Sequence, residues 1–292
     1  MTSRRPTSDD ELRYWLENMV WGHGYNDAEV SDVLELTMKE AIEARERYGI
    51  RPDNGPARRS ATLPYPGGRH PRLGFQDGAV RPQRETKFSA FLPWDAHSYV
   101  VVDLPEALWS NRGLSYLAHR HLPTLWDQQG ISLETLEWDR CDDGSLVLDR
   151  TLPDGVAFTT RVVPGHDHIG MQMALTNGSD GTLTDLRVQI CVMLKAATGF
   201  NGQTNDNKLL ASEFVAVHDA GARRWIICAW HPNGSPWGNE ACPCLHSDPK
   251  FPDLEPDETG LVAGWLSFYE GEDVHSEVAR IEKLIGQSGP QS

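Results

Sequence analysis

Residues 156–181 run Val156-Ala157-Phe158-Thr159-Thr160-Arg161-Val162-Val163, then Pro164-Gly165-His166-Asp167, then His168-Ile169-Gly170-Met171-Gln172-Met173-Ala174-Leu175-Thr176, and end on Asn177-Gly178-Ser179-Asp180-Gly181. Apolar and polar side chains alternate with a period of two on either side of a Pro-Gly break, the pattern of strands with one buried face. The Asn-Gly-Ser-Asp-Gly cluster is a hairpin signal, and such short connections are incompatible with parallel crossovers. The same pattern recurs at 88–92, 99–103, 133–138, 145–150, 186–194, 214–218, 225–230 and 261–269. Ten candidate strands with almost no helix between them predict a mainly β fold. The expected architecture is an antiparallel two-sheet β-sandwich, of the jelly-roll or supersandwich kind.

Helical periodicity is confined to the two ends. At the start, Leu12, Trp15, Leu16, Met19 and Val20 recur at spacings of three and four behind capping candidates Ser8, Asp9 and Asp10. Two short helices are expected over 26–34 and 37–48, with Gly49 as the stop. At the other end, Val278, Ile281, Leu284 and Ile285 mark an amphipathic helix over 274–285. The stretch 51–87 holds Pro52, Gly55, Pro56, Pro64, Pro66, Gly67, Gly68, Pro71, Gly74, Gly78 and Pro82, which suits a linker or a draped loop. The expected organisation is a small N-terminal α-helical module over 1–50, this Pro/Gly-rich stretch over 51–87, and the sandwich with its terminal helix over 88–292.

Composition narrows the partners. Forty-two Asp and Glu against 27 Lys and Arg give a formal net charge of -15, a field that repels nucleic acid and anionic lipid. The three N-terminal helices, with a tight turn at Glu35 and Leu36, resemble a helix-turn-helix unit. Residues 1–50 nevertheless carry eleven acidic residues against six basic ones, and Glu40, Glu43 and Glu46 lie on the segment that would read DNA. No nucleic-acid partner is therefore expected, and packing or homo-oligomerisation is the expected role of the module. With no apolar stretch of membrane-spanning length, a polar start and five cysteines, an odd number suited to reduced thiols, the chain is expected to be cytoplasmic with no membrane partner.

Three sequence features carry candidate chemistry. The run from Trp230 to Pro249 is expected to be a long loop between strands, and loops of that length are usually functional or disordered. In an extended segment Cys242, Cys244 and His246 point to one face. Two sulfurs and an imidazole could then meet on one divalent metal, zinc first, with His231 as the nearest fourth ligand. Buried small cysteines beside a backbone-bonded histidine are the plainer alternative.

The second feature is Gly113-Leu114-Ser115-Tyr116-Leu117-Ala118-His119-Arg120-His121, which resembles the first metal-binding motif of the cupins. That resemblance covers some fifteen residues and implies metal-dependent small-molecule chemistry with His119 and His121 as ligands. The acidic position of the motif falls at Leu125 or Trp126, Asp127 lies one residue beyond, and a second motif is absent. The third feature is the population of tryptophans (Trp94, Trp109, Trp126, Trp237, Trp265) beside polar Asn201, Gln203, Asn205 and Asn207, the mixture a sugar site requires.

Together these features predict an enzyme, a hydrolase, lyase or isomerase, acting on a sugar-like small molecule. His119, His121, Glu85, Asp127 and Asp248 are its candidate catalytic groups. Trp126, Trp237, Asn205, Asn239, Arg84 and Lys87 are its substrate contacts, and His231, Cys242, Cys244 and His246 its metal ligands. A non-catalytic glycan- or protein-binding sandwich with a structural Cys/His metal clip remains the alternative. No serine-hydrolase elbow, Walker loop, His-Glu-x-x-His or dinucleotide fingerprint is present.

Overall fold

The structure, a computed structural model, describes residues 5–56, 61–70, 85–119, 121–166 and 168–288. Its N-terminal helices form as the sequence predicts. Helix α1 (Asp9–Leu16) is capped by Ser8 and runs into a π-helical segment (Glu17–Gly22), followed by α2 (Asp27–Val33) and α3 (Met38–Tyr48). Reciprocal capping boxes at Asn26/Glu29 and Thr37/Glu40 fix the starts of α2 and α3. Gly49, at φ 65°, ends α3 in the left-handed conformation that glycine adopts at no steric cost. Trp15, Leu16, Met19, Val20, Tyr25, Val30 and Leu34 close a small core of their own.

The strands then follow in chain order: β1 (Thr62–Pro64), β2 (Lys87–Phe91), β3 (Tyr99–Ser110), β4 (Gly113–Leu117), β5 (Asp139–Arg140), β6 (Leu146–Thr151), β7 (Ala157–Pro164) and β8 (Ile169–Thr176). After them come β9 (Arg187–Met193), β10 (Lys208–Leu210), β11 (Val215–His218), β12 (Arg224–His231), β13 (Asn233–Asn239), β14 (Cys244–Pro249) and β15 (Thr259–Glu270). A single turn, α4 (Leu125–Gln128), follows β4, and α5 (Val274–Ser288) ends the described chain. A seven-stranded sheet in the order β1-β2-β3-β9-β14-β13, with β4 also on β3, faces an eight-stranded sheet in the order β10-β11-β12-β15-β8-β7-β6-β5. The pairings are antiparallel throughout, and the fold is the expected sandwich. No helix among the described residues is long and apolar enough to cross a membrane.

Alternation decides what fills the space between the sheets. Phe88, Val102, Val192 and Leu245 from the seven-stranded sheet meet Phe158, Met171, Leu175, Ile226 and Trp230 from the other in one continuous core. Helix α5 covers the outer side of β12 and β15, where Ala229 and Trp265 pack against Val274, Val278 and Ile281.

Four sequence expectations change. The Asn177–Gly181 cluster does not make a hairpin, because β8 and β9 lie in different sheets and the chain crosses between them there. Gly178 is needed for contact rather than for a turn: a Cβ at this position would lie 2.3 Å from the carbonyl oxygen of Gly155. Residues 133–138 are not a strand, although Trp138 is buried against Phe88 and donates its indole N–H to the Lys87 carbonyl. Part of the Pro/Gly-rich stretch joins the sheet as β1, paired to β2. The segment expected to be a long loop after His231 is the β13–β14 hairpin, which adds two strands to the sheet.

The N-terminal helices lie against the outer side of the seven-stranded sheet. Asn18, on the π-helical segment, donates through Nδ2 to the carbonyl of Pro64 at 3.0 Å. His23 inserts among Tyr25, Tyr65, Phe91 and Tyr99. Its Nδ1 lies 3.0 Å from the Asn18 carbonyl, which can only accept, so Nδ1 carries the proton and Nε2 accepts from the Ser89 hydroxyl at 2.7 Å. Burial holds its pKa down at about 3, with the Arg69 cation adding to the effect.

This makes His23 a source of acid sensitivity. A histidine kept neutral in the fold binds its proton only on unfolding, so its contribution is complete above the unfolded pKa of about 6.5 and is lost as pH falls toward 3. The wild-type chain should lose roughly 1.4 kcal/mol of stability per pH unit across that window from this residue alone. In urea unfolding at pH 7.5, 6, 5 and 4, His23→Gln should show a shallower decline; equal slopes would rule the assignment out.

Candidate functional site

The outer side of the seven-stranded sheet carries the chemistry. Lys87 is the register partner of Asp103, Asp103 of Cys191, Cys191 of His246, and His246 of Trp237. Because facing residues in a sheet project to the same side, these five side chains from β2, β3, β9, β14 and β13 form one row. The residues that alternate with them, Phe88, Val102, Val192 and Leu245, are the core residues of the opposite side. In the neighbouring outer row stand Ser89, Val101, Met193 and Cys244. Lys87, Asp103 and Cys191 are fully buried and His246 is 2% exposed, so a polar row is shielded here as completely as a core.

At one end of the row is an ion-paired triad. Lys87 Nζ lies 3.2 Å from Asp103 Oδ1, and His119 Nε2 lies 2.7 Å from Asp103 Oδ2. Thr86 donates its hydroxyl to Asp103 Oδ1 at 3.0 Å and lies 3.3 Å from the Tyr116 hydroxyl. The Tyr116 hydroxyl in turn reaches Glu85 Oε2 at 3.5 Å, and Arg150 donates to the same carboxylate at 2.8 Å. Burial pushes the Tyr116 phenol well above its ordinary pKa, with the Glu85 charge adding to the effect. This polar chain ends at a surface depression lined by Glu85, Tyr116, Leu122, Trp126, Asp127 and Ile131 among others.

At the other end is a sulfur and imidazole cluster. Ligand atoms of Cys191, Cys244 and His246 all lie within 4.8 Å of one another, and His246 Nε2 is 3.4 Å from Cys244 Sγ. None of the five cysteines, all among the described residues, is in a disulfide. Hydrogen bonding with Cys191 and with Cys242, together with burial, pushes the Cys244 thiol far above its ordinary range. The other imidazole nitrogen, Nδ1, faces carboxylates: Asp248 Oδ1 at 3.7 Å and Glu106 Oε2 at 3.9 Å. Burial alone would disfavour imidazolium, but Cys191 and Asp248 outweigh it and raise the His246 pKa to about 9.

The donor set fits a zinc-type ion. Two thiol sulfurs and an imidazole are the ligands zinc prefers. A tetrahedral ion at ordinary Zn–S and Zn–N bond lengths sets sulfur and nitrogen about 3.5 Å apart, against the 3.4 Å found between Cys244 and His246.

The structure sorts the sequence candidates by place. Cys242, Cys244 and His246 gather together, joined by Cys191 from β9. His231 lies apart on β12, in the other sheet, exposed and 3.7 Å from Glu282 of α5. His119 is fully buried on Asp103, whereas His121 is exposed, its Nδ1 2.8 Å from the His119 carbonyl. The two imidazoles therefore do not share a strand face as the cupin resemblance implies, because β4 ends at Leu117. Asp127 caps α4 by accepting from Thr124 N–H, and Trp126 is a buried core residue that lines the depression beside Glu85.

Asn205 Oδ1 and the Asn239 carbonyl both accept from Lys208 Nζ, at 2.8 and 2.9 Å. Trp237 stacks on His246 with ring centroids 3.5 Å apart and planes 10° from parallel, so one indole face is already covered. Lys87 is too deeply buried for direct solvent contact, and Arg84 lies outside the described residues.

Cys191 and Asp103 were missed by sequence reasoning. A signal existed for each: Asp103 is the one charge in the apolar run 99–104, and Cys191 alternates out of phase with Val188, Ile190 and Val192. Neither signal says which other strand lies alongside. Asp103→Ala would leave the Lys87 ammonium buried beside His119 without that carboxylate, a change that costs about 3–5 kcal/mol. Urea unfolding should show this loss, with Asp103→Asn losing less; an Asp103→Ala protein as stable as wild type would contradict the pairing.

No family model matches the chain, and no curated protein matches it. Among solved structures it is similar to a polysaccharide lyase (TM-score 0.31, 13% identity, covering 47% of this chain and 24% of that one). It is similar to a human-microbiome protein described as a kojibiose phosphorylase (TM-score 0.39, 8% identity, 70% of this chain and 28% of that one). A third is a Klebsiella pneumoniae subsp. pneumoniae protein described as an aldose 1-epimerase (TM-score 0.32, 12% identity, 64% of this chain and 65% of that one). The chain thus spans less than two thirds of the length of each, and all three are named for chemistry on carbohydrates.

Proposed function

We propose that this protein is a zinc-dependent enzyme acting on a polar, sugar-like small molecule at the outer side of its seven-stranded sheet. The observation that carries the reading is the shared row: its register sets Lys87 and Asp103, the latter paired with His119 from beyond β4, beside Cys191 and His246, with Cys244 in the adjoining row. Burying so many ionisable groups costs several kcal/mol per ion before pairing. Apolar residues would serve packing better, and buried clusters of ionisable groups are characteristic of functional sites.

Cys191, Cys244 and His246 would hold the metal. Three protein ligands are the number that catalytic zinc sites use, leaving one position for substrate or water. Bound there, zinc supplies Lewis-acid polarisation of a substrate oxygen. The chain's own residues supply the rest. Asp103 holds His119 through Nε2 and would orient its imidazole for proton transfer. Lys87 balances the Asp103 charge. The depression in which the polar chain ends sets the Glu85 and Asp127 carboxylates beside the Trp126 indole, a mixture that suits a sugar-like molecule.

A second reading is favoured by one observation. Cys242 is buried and hydrogen-bonded to Cys244, so it could complete a closed Cys3His set of the structural kind. Metal analysis separates the two. The catalytic reading expects about one zinc per chain, retained in Cys242→Ser and lost in His246→Ala. It also expects chelation to abolish turnover on a panel of aldoses and glycosides while the β circular dichroism persists. Loss of zinc in Cys242→Ser together with unfolding on chelation would favour the clip. A chain that takes up no zinc after purification and reloading would overturn both.

A further inference from the structure

We infer that Trp237, rather than contacting substrate, and Asp248, rather than acting as a catalytic group, form a clamp that fixes the ring of His246, so that Nε2 points to the metal and Nδ1–H to the carboxylates. The inference rests on the metal reading above and assigns positioning residues to that site. Asp248 is held from two directions: its Oδ1 accepts from the Ile190 N–H at 2.9 Å, and its Oδ2 accepts from the Trp237 indole N–H at 2.9 Å. Thus anchored, Oδ1 stands 3.7 Å from His246 Nδ1, close enough for charge to favour a proton on that nitrogen. Glu106 adds a second carboxylate at 3.9 Å on the same side.

The ring plane is set separately. Trp237 lies parallel to the imidazole at 3.5 Å, which restricts tilt and leaves the two orientations related by a 180° flip about Cβ–Cγ, and the carboxylates select between them. With Nδ1 turned to Asp248 and Glu106, the Nε2 lone pair falls on the Cys244 side, at 3.4 Å from its sulfur. Metal-bound histidines commonly have an outer carboxylate at their other ring nitrogen, and loss of that partner costs 10–100-fold in affinity; at 3.7 Å Asp248 acts on His246 Nδ1 through charge rather than a hydrogen bond.

Only the pairing of β13 to β14, and the approach of Ile190 on β9, bring the three parts together. Trp237 faces His246 across the hairpin, and Asp248 follows His246 by two residues on one side of β14. A purely structural role for Asp248, pinning β14 to β9, predicts loss of stability without a specific loss of metal affinity.

The test uses the full-length chain stripped of metal and titrated with Zn²⁺ against a competing chromophoric chelator. Asp248→Asn should bind zinc 10–100-fold more weakly than wild type. Trp237→Phe, which keeps an aromatic face but removes the indole N–H, should weaken zinc several-fold, with the metal-free melting temperature within a few degrees of wild type. Long-range ¹H–¹⁵N spectra of the zinc-loaded wild type should show His246 protonated at Nδ1 and metallated at Nε2. Unchanged affinity in both variants, or metal on Nδ1, overturns the clamp. A wild-type chain that binds no zinc overturns the metal reading itself, so the two failures are told apart.

Discussion

The register that aligns β2, β3, β9, β14 and β13 is the constraint on which the rest of the molecule depends. A slip of one residue in any of these pairings turns every side chain of that strand to the opposite side. In β9 it would carry Val192 outward and Cys191 into the apolar core; in β14 it would exchange Leu245 with His246. The apolar residues between the sheets therefore do more than stabilise the fold: by requiring Phe88, Val102, Val192 and Leu245 to face inward, they hold Lys87, Asp103, Cys191 and His246 in line on the other side.

That outer side is shielded like an interior. The N-terminal helices reach it through Asn18 and His23, and Tyr65, just past β1, packs in one cluster with Tyr99, Val101, Met193, Cys242 and Cys244. Low dielectric strengthens each charge interaction there and raises the cost of each missing partner, so the same shielding that makes the triad and the cluster strong makes them intolerant of substitution. The helical module is accordingly part of the site's wall. Glu43 and Glu46 are exposed on its third helix, α3.

The two ends of the row ask for different chemistry. Lys87 and His119 both lie against the Asp103 carboxylate, one on each oxygen. Cys191, Cys244 and His246 bring sulfur and nitrogen donors together, and hydrogen bonding with its neighbours together with burial raises the Cys244 thiol pKa. Apart from His119, which follows β4, both sets lie on neighbouring strands, which is how a rigid sheet brings together groups that loops would hold less firmly.

By itself the sequence determined the sandwich, because alternation in 156–163, 168–176 and 186–194 is a local property that each strand displays alone. The cap at Ser8, the helix starts near Asn26 and Thr37 and the stop at Gly49 were legible for the same reason. Cys242, Cys244 and His246 could be seen to share a side, since they are two residues apart. Tertiary structure alone decided the rest: that Cys191 rather than His231 joins them, that His119 and His121 part company beyond β4, and that Trp237 lies on an imidazole. The reason is physical. A strand's pattern says which way its side chains point, but which strand lies beside it, and in what register, is settled by how two whole sheets fit together around one core.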